Sequence, residues 1–241
     1  MFEDLVSGKE NSPLILVQDT VNHRGNCILN YITQGLLNRL DLIILFMLDR
    51  HSKYLNNSDR LYVYDGLSDP LGWTTSISLS SDPISKQFFF KNILTKTIKN
   101  NEKFTLFLSE NSVKKVGIII NSLSAVISHQ NIAVVCKDLY EVINYRTQTF
   151  EVNQTVALVH SDLHSENILS SLNCIATTCI ELKDFVDKKE SAGHFIITHC
   201  KKNGKLSKKS EEYKMDSDVQ LTIIHTKDKN NIEVKTTSSE S

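Results

Sequence analysis

Leu14 to Ile32, LILVQDTVNHRGNCILNYI, carries the pattern on which the architecture turns. Leu14 to Gln18 is a short, bulky apolar run preceded by Pro13, the signature of a buried strand. Ile28, Leu29, Ile32, Leu36 and Leu37 then recur at helical spacing, so a helix follows the turn at Gly25. Strand, glycine turn and helix in that order frame the phosphate-binding loop G-x-x-x-x-G-K-[S/T]. Gly25 falls on the second glycine, and Thr20 stands where the first would be. Asn26 stands in place of the lysine that reaches the phosphates, and Cys27 in place of the hydroxyl that holds magnesium. Asparagine is neutral and shorter, and a thiol is a poor ligand for a hard cation. The frame is present; the residues that handle phosphate are not.

The partner position shows the same loss. A second strand should end in an acidic residue that shares the magnesium, and VGIIIN ends in Asn121. An amide keeps an oxygen there but loses the charge. Around these two strands, DLIILFML, RLYVYD, TVALVH and CIATTCIELK are further strand-like runs. Helical stripes run from about Ile84 to Ile98, from Ile132 to Ile143, and briefly after His160. The segment GLSDPLGWTTSISLSSDP is rich in turn residues and reads as a loop, with Trp73 as a packing anchor. Near the end, GHFIITHCKKNGKLSKKSEEYKM predicts a hairpin with Asn203-Gly204 as a type I′ turn, and VQLTIIH a last strand. Alternating strands and helices followed by antiparallel strands predict one three-layer α/β domain over residues 1–225. Its sheet is mixed and mostly parallel. Residues 226–241 have little to bury and read as a disordered tail.

Composition narrows the function classes. The chain has 241 residues, 40% hydrophobic and 23% charged, the balance of a globular protein. Its longest apolar run, LIILFML, is far short of a membrane span, so no membrane partner is expected. The acidic start MFEDLVSGKENSP lacks the apolar core of a secretory signal. Five cysteines without a C-x-x-C pair fit reduced intracellular thiols rather than a metal site. A net charge of −1 confines any nucleic-acid surface to a local patch. The hairpin supplies one in Lys201, Lys202, Lys205, Lys208 and Lys209. Such lysines suit phosphate backbones, and equally a solvated strand edge protected from pairing.

One motif points elsewhere. VHSDLHSENIL places His160, Asp162, Leu163 and Asn167 in the order of a kinase catalytic loop, with Asp184-Phe185 further on. The supporting parts are missing: there is no G-x-G-x-x-G, and AVVCK ends too close to His160 to be the nucleotide-binding lysine strand. The plainer reading is a strand end, a helix capped by Ser161 or Asp162, and Glu166 in its first turn. Ile168, Leu169 and Leu172 would then face the core.

The first strand and helix, RLYVYDGLSDPLGW, VGIIINSLSAVI, LVHSDLHSENILSSL and the lysine-rich hairpin occur together in one order over residues 14–215. In that order the chain resembles the Elongator complex protein 5 family. The resemblance implies a RecA-like, P-loop NTPase-like fold with degenerate Walker motifs and no cofactor. Thr20, Gly25, Asn26, Cys27 and Asn121 would then be a vestigial nucleotide site. It further implies a non-catalytic subunit in a hetero-hexameric ring with Elongator proteins 4 and 6. The ring binds tRNA and joins the catalytic Elongator subunits, which modify wobble uridines in the cytoplasm and nucleus. The alternatives are a RecA-like ATPase with an unconventional nucleotide site and, less in keeping with the missing motifs, a small kinase.

Overall fold

Six strands, the central ones carrying almost unbroken apolar runs, form the parallel part of a nine-stranded sheet, and three antiparallel strands extend it. The computed structural model describes residues 1–21, 25–49, 58–66, 89–100, 113–183, 192–201, 203–215 and 221–224. Trp73 and its loop, Asp184 and Phe185, Lys202 and the expected tail lie outside the described residues. The strands are β1 (Leu14–Asp19), β2 (Leu42–Met47), β3 (Leu61–Asp65), β4 (Lys114–Ile120) and β5 (Phe150–His160), then β6 (Thr178–Lys183), β7 (Ala192–Cys200), β8 (Leu206–Met215) and β9 (Leu221–Ile224). Their order is β3-β2-β4-β5-β1-β6-β7-β8-β9. β5 therefore lies between β1 and β4, and the ends of β1 and β5 are in register, with Asp19 opposite His160.

The helices are α1 (Phe2–Ser7), α2 (Asn26–Arg39), α3 (Phe89–Asn100), α4 (Leu123–Ile127), α5 (Ile132–Ile143) and α6 (Glu166–Ile175). Helices cover both faces of the parallel strands, as unbroken apolar runs require. On one face, Ile15 and Val17 of β1 and Leu158 of β5 pack against Ile28, Ile32 and Leu36 of α2. On the other, Leu16, Ile118 and Ala157 meet Leu123, Val135, Leu139 and Leu172 from α4, α5 and α6. This is the expected three-layer arrangement. Asn131 caps α5 by accepting the Ala133 N–H at 2.8 Å, which stabilises that helix by about 1 kcal/mol. Among the described residues, no helix is long and apolar enough to cross a membrane.

The helix expected from about Ile84 to Ile98 is described from Phe89 to Asn100, and residues 84–88 lie outside the described residues. Two local expectations change. Neither Ser161 nor Asp162 caps α6: they belong to a 3₁₀ turn, Ser161–Leu163, and Ser165 holds the cap position without a side-chain bond. On that helix Leu172 is buried, and the half-buried Ile168 and Leu169 pack against the same core, as expected. The hairpin does not close through a two-residue turn. Lys201 N–H donates to the Lys205 carbonyl at 3.0 Å and Gly204 N–H to the Lys201 carbonyl at 2.8 Å, which frames a three-residue loop. Gly204 sits at φ 77°, the left-handed position this loop type demands, where a Cβ would be strained.

Candidate functional site

The carboxyl ends of the parallel strands are where α/β sheets bind ligands, and the residues read as a vestigial nucleotide site lie there. Gly25 opens α2, the buried Cys27 follows within its first turn, and Asn26 is exposed. Thr20 leaves β1, and Asn121 follows β4. The structure gathers Gly25, Cys27 and Thr20 around the β1–α2 junction; Asn121 stands across β5 from them.

What fills the junction is a side chain that motif reading passed over. Asp19, the last residue of β1 and almost fully buried, turns one carboxylate oxygen to the Gly25 N–H at 2.8 Å. That N–H belongs to the helix start, where a phosphate loop directs its donors at the ligand. The other carboxylate oxygen of Asp19 meets His160 Nδ1 at 2.6 Å. The Ser161 hydroxyl adds a bond to the Asp19 carbonyl at 2.8 Å. An internal carboxylate thus takes the donor that a phosphate would use.

Gly25 is retained for a packing reason. Its φ of −73° suits any residue, but a Cβ there would stand 2.5 Å from Leu158 Cδ1 and 3.2 Å from Val17 Cγ1. The start of α2 presses directly on β1 and β5. Cys27 lies against the same strands, and burial pushes its thiol up to about 11. A neutral thiol in an apolar pocket packs as a small hydrophobe. Asn121 is also engaged within the fold: its Oδ1 accepts the Leu48 N–H at 2.6 Å, and its own N–H donates to the Phe46 carbonyl at 3.0 Å. The amide therefore ties the ends of β4 and β2 together.

The residues of the kinase-like stretch are absorbed into the same edge. His160 ends β5, and its backbone N–H donates to Ser124 Oγ at 2.9 Å. The same hydroxyl lies 2.8 Å from His164 Nε2. The Asp162 carboxylate accepts the Val21 N–H at 2.9 Å, holding the strand as it leaves the sheet. Leu163 and Asn167 are exposed. Asp19 and His160 were legible only singly in the sequence, since 141 positions separate them. A cleft of about 580 Å³ opens beside Thr20, with Asp162, Glu166, Asn173 and Glu181 among its lining residues.

The hairpin lysines lie far along the sheet, beyond β6 and β7. Lys201 and Lys205 face each other across the loop, and Lys208 and Lys209 point to opposite faces of β8. Lys209 Nζ lies 3.5 Å from Oε1 of the buried Glu211.

Known proteins share this framework. A protein of unassigned function from Pyrococcus horikoshii, solved with an unknown peptide, superposes with a TM-score of 0.63 at 16% identity, covering 92% of this chain and 95% of that one. Flagellar accessory protein FlaH from Methanocaldococcus jannaschii gives 0.54 at 12% identity, covering 93% and 95%. These likenesses carry the fold, which is RecA-like. In sequence, Elongator complex protein 5 of Danio rerio is 24% identical over 229 residues, covering 92% of this chain and 71% of its own length. The family model for Elongator subunit Iki1 matches residues 1–232. With a match over nearly its whole length, the chain belongs to the Elongator subunit Iki1 family.

Proposed function

We propose that this protein is a non-catalytic subunit of the Elongator complex, working in a hetero-hexameric RecA-like ring that supports modification of tRNA wobble uridines. The observation that carries this reading is the family match over residues 1–232. The chemistry of the β1–α2 junction supports the non-catalytic part. Asp19 accepts the Gly25 N–H, Asn26 supplies no cation, Cys27 supplies no hard ligand, and Asn121 bonds the β2 end. A negative carboxylate held at a phosphate position repels the ligand it would have to admit. In this reading Elongator proteins 4 and 6 are the ring neighbours and the catalytic Elongator subunits perform the chemistry. tRNA meets the ring partly through Lys201, Lys202, Lys205, Lys208 and Lys209, and the protein works in the cytoplasm and nucleus.

Affinity purification of the tagged chain from its own cells tests the assignment. Elongator proteins 4 and 6 and the catalytic subunits should co-elute, and loss of the chain should lower wobble-uridine modification. A preparation that carries none of them, or unchanged modification in cells lacking the chain, would overturn it.

A further inference from the structure

The polar residues at the carboxyl edge form a chain that crosses four strands, and it passes through a single titratable ring. Gly25 N–H binds Asp19, Asp19 binds His160 Nδ1 at 2.6 Å, and His160 Nε2 lies 3.6 Å from Oδ2 of Asp49, just past the end of β2. Between β5 and β2 stands only β4, whose terminal Asn121 holds the Leu48 N–H one residue before Asp49. The imidazole is thus placed between two carboxylates that belong to strands three places apart in the sheet.

We propose that His160 is a built-in, proton-controlled bridge: as imidazolium it ties Asp49 and the end of β2 to the β1–α2 junction, and as neutral imidazole it gives up its own hold on Asp49 while keeping Asp19. The asymmetry follows from the ring. Asp19 can only accept, so Nδ1 keeps its hydrogen and a neutral ring presents a bare Nε2 lone pair. That lone pair faces the Asp49 carboxylate and repels it, whereas N–H⁺ attracts it. One proton decides the sign of the contact.

Among the described residues, two carboxylates flank the His160 ring. Asp19 faces it from β1 and Asp49 from the end of β2; α4 contributes the uncharged Ser124 and β4 the uncharged Asn121. His164 lies beyond the 3₁₀ turn, and Asp162 of that turn acts on His164 and holds Val21. Cys27 of α2 is buried and neutral. The bond to Asp19, outweighing burial, raises His160 above the ordinary histidine value of 6.5, with Asp49 adding to it. Burial and the neighbouring His160 lower His164 below 6.5, so that ring has lost its proton before His160 titrates. A histidine raised in the fold contributes its stabilisation fully below 6.5 and loses it as pH rises through the folded value. The bridge therefore opens on the alkaline side of 6.5.

Hydrogen exchange of the full chain, read by mass spectrometry from pH 6 to 9 and corrected for the intrinsic pH dependence of exchange, tests this. Protection at Leu48 and Asp49 should fall on the order of two- to fivefold as pH rises, the size of a part-exposed ion pair. The hairpin of β7 and β8 should not respond. Asp49→Asn keeps the buried Asp19–His160 pair and should abolish the fall; His160→Gln should show low, pH-independent protection. A flat wild-type profile, or a fall that persists undiminished in Asp49→Asn, would overturn the proposal even if His160→Gln does not fold. Neither result depends on Elongator membership.

Discussion

Asp19 is the residue that, in the proposed reading, separates this turn from a working phosphate loop. Its carboxylate satisfies the helix N-terminus from inside the fold, and neighbouring substitutions remove the positive charge that would have drawn a nucleotide there. Millimolar Mg-ATP should therefore leave the melting temperature unchanged; a ligand at a hundred times its dissociation constant would add about 2.7 kcal/mol and be easily seen. Gly25 allows a second measurement on the same turn. Gly25→Ala would put a methyl carbon 2.5 Å from Leu158 Cδ1 with no backbone strain, since φ is −73°. Overpacking of this kind costs about 1–3 kcal/mol, so the urea midpoint should drop without any ligand present. Unaltered stability would mean that Leu158 turns aside and that packing does not explain the glycine. Motif spacing singles out Gly25, Cys27 and Asn121. It is silent about Asp19, because an acid after a strand has no meaning until His160 arrives beside it.

Among the elements, α3 shows how one helix is completed by another. At its start Asp138, buried in α5, accepts the Phe90 N–H at 2.6 Å and the Lys91 N–H at 3.2 Å. Asp138→Ala strips both acceptors from the helix start and should cost about 1–2 kcal/mol in urea unfolding at neutral pH. Burial pushes the Asp138 carboxyl up to about 6, from an ordinary 3.8, against the opposing effect of its two bonds. The folded state then binds the proton more tightly than the unfolded chain between those values, so this group's contribution to stability falls as pH rises from 3.8 to about 6. Wild type should lose stability over that interval relative to Asp138→Asn, which has no carboxyl to titrate; parallel pH profiles would contradict the assignment. Periodicity indicated both helices, because an apolar stripe is local. The cap between them joins positions 47 and 48 residues apart and leaves no periodic trace.

For the whole molecule, the hairpin lysines should divide into two classes. Lys201, Lys205, Lys208 and Lys209 are all exposed, but Lys209 also pairs with the buried Glu211, whose Oε2 already lacks a hydrogen-bond partner. In the proposed ring, changing the first three to Glu should weaken tRNA binding evenly across tRNAs. The salt slope should flatten by roughly 0.7–0.9 for each phosphate no longer neutralised by a lysine. Lys209→Glu should instead lower the stability of the chain, by setting a second carboxylate beside a buried one. An intact ring that binds tRNA with unchanged affinity and slope would leave these lysines as protection of the sheet's antiparallel end.

The nine strands, the longer helices, the mixed sheet and the three layers were legible in the chain itself, since apolar runs such as LIILFM and the stripe of α2 are properties of neighbouring residues; the short helices α1 and α4 were not, and Cys174 and Ile175, read as strand, close α6. So was the presence of Asn26, Cys27 and Asn121 at the positions where a phosphate loop and its partner strand carry their functional groups. The strand order that sets β5 between β1 and β4 belongs to the tertiary structure, and with it the pairing of Asp19 with His160 and the division of the lysines by Glu211. The three-residue loop was also hidden, because Asn-Gly serves two hairpin geometries and the register of β7 on β8 selects between them. Local pattern reports which face of an element is apolar; hydrogen bonds between distant polar groups exist only once those faces have packed and carried the groups together.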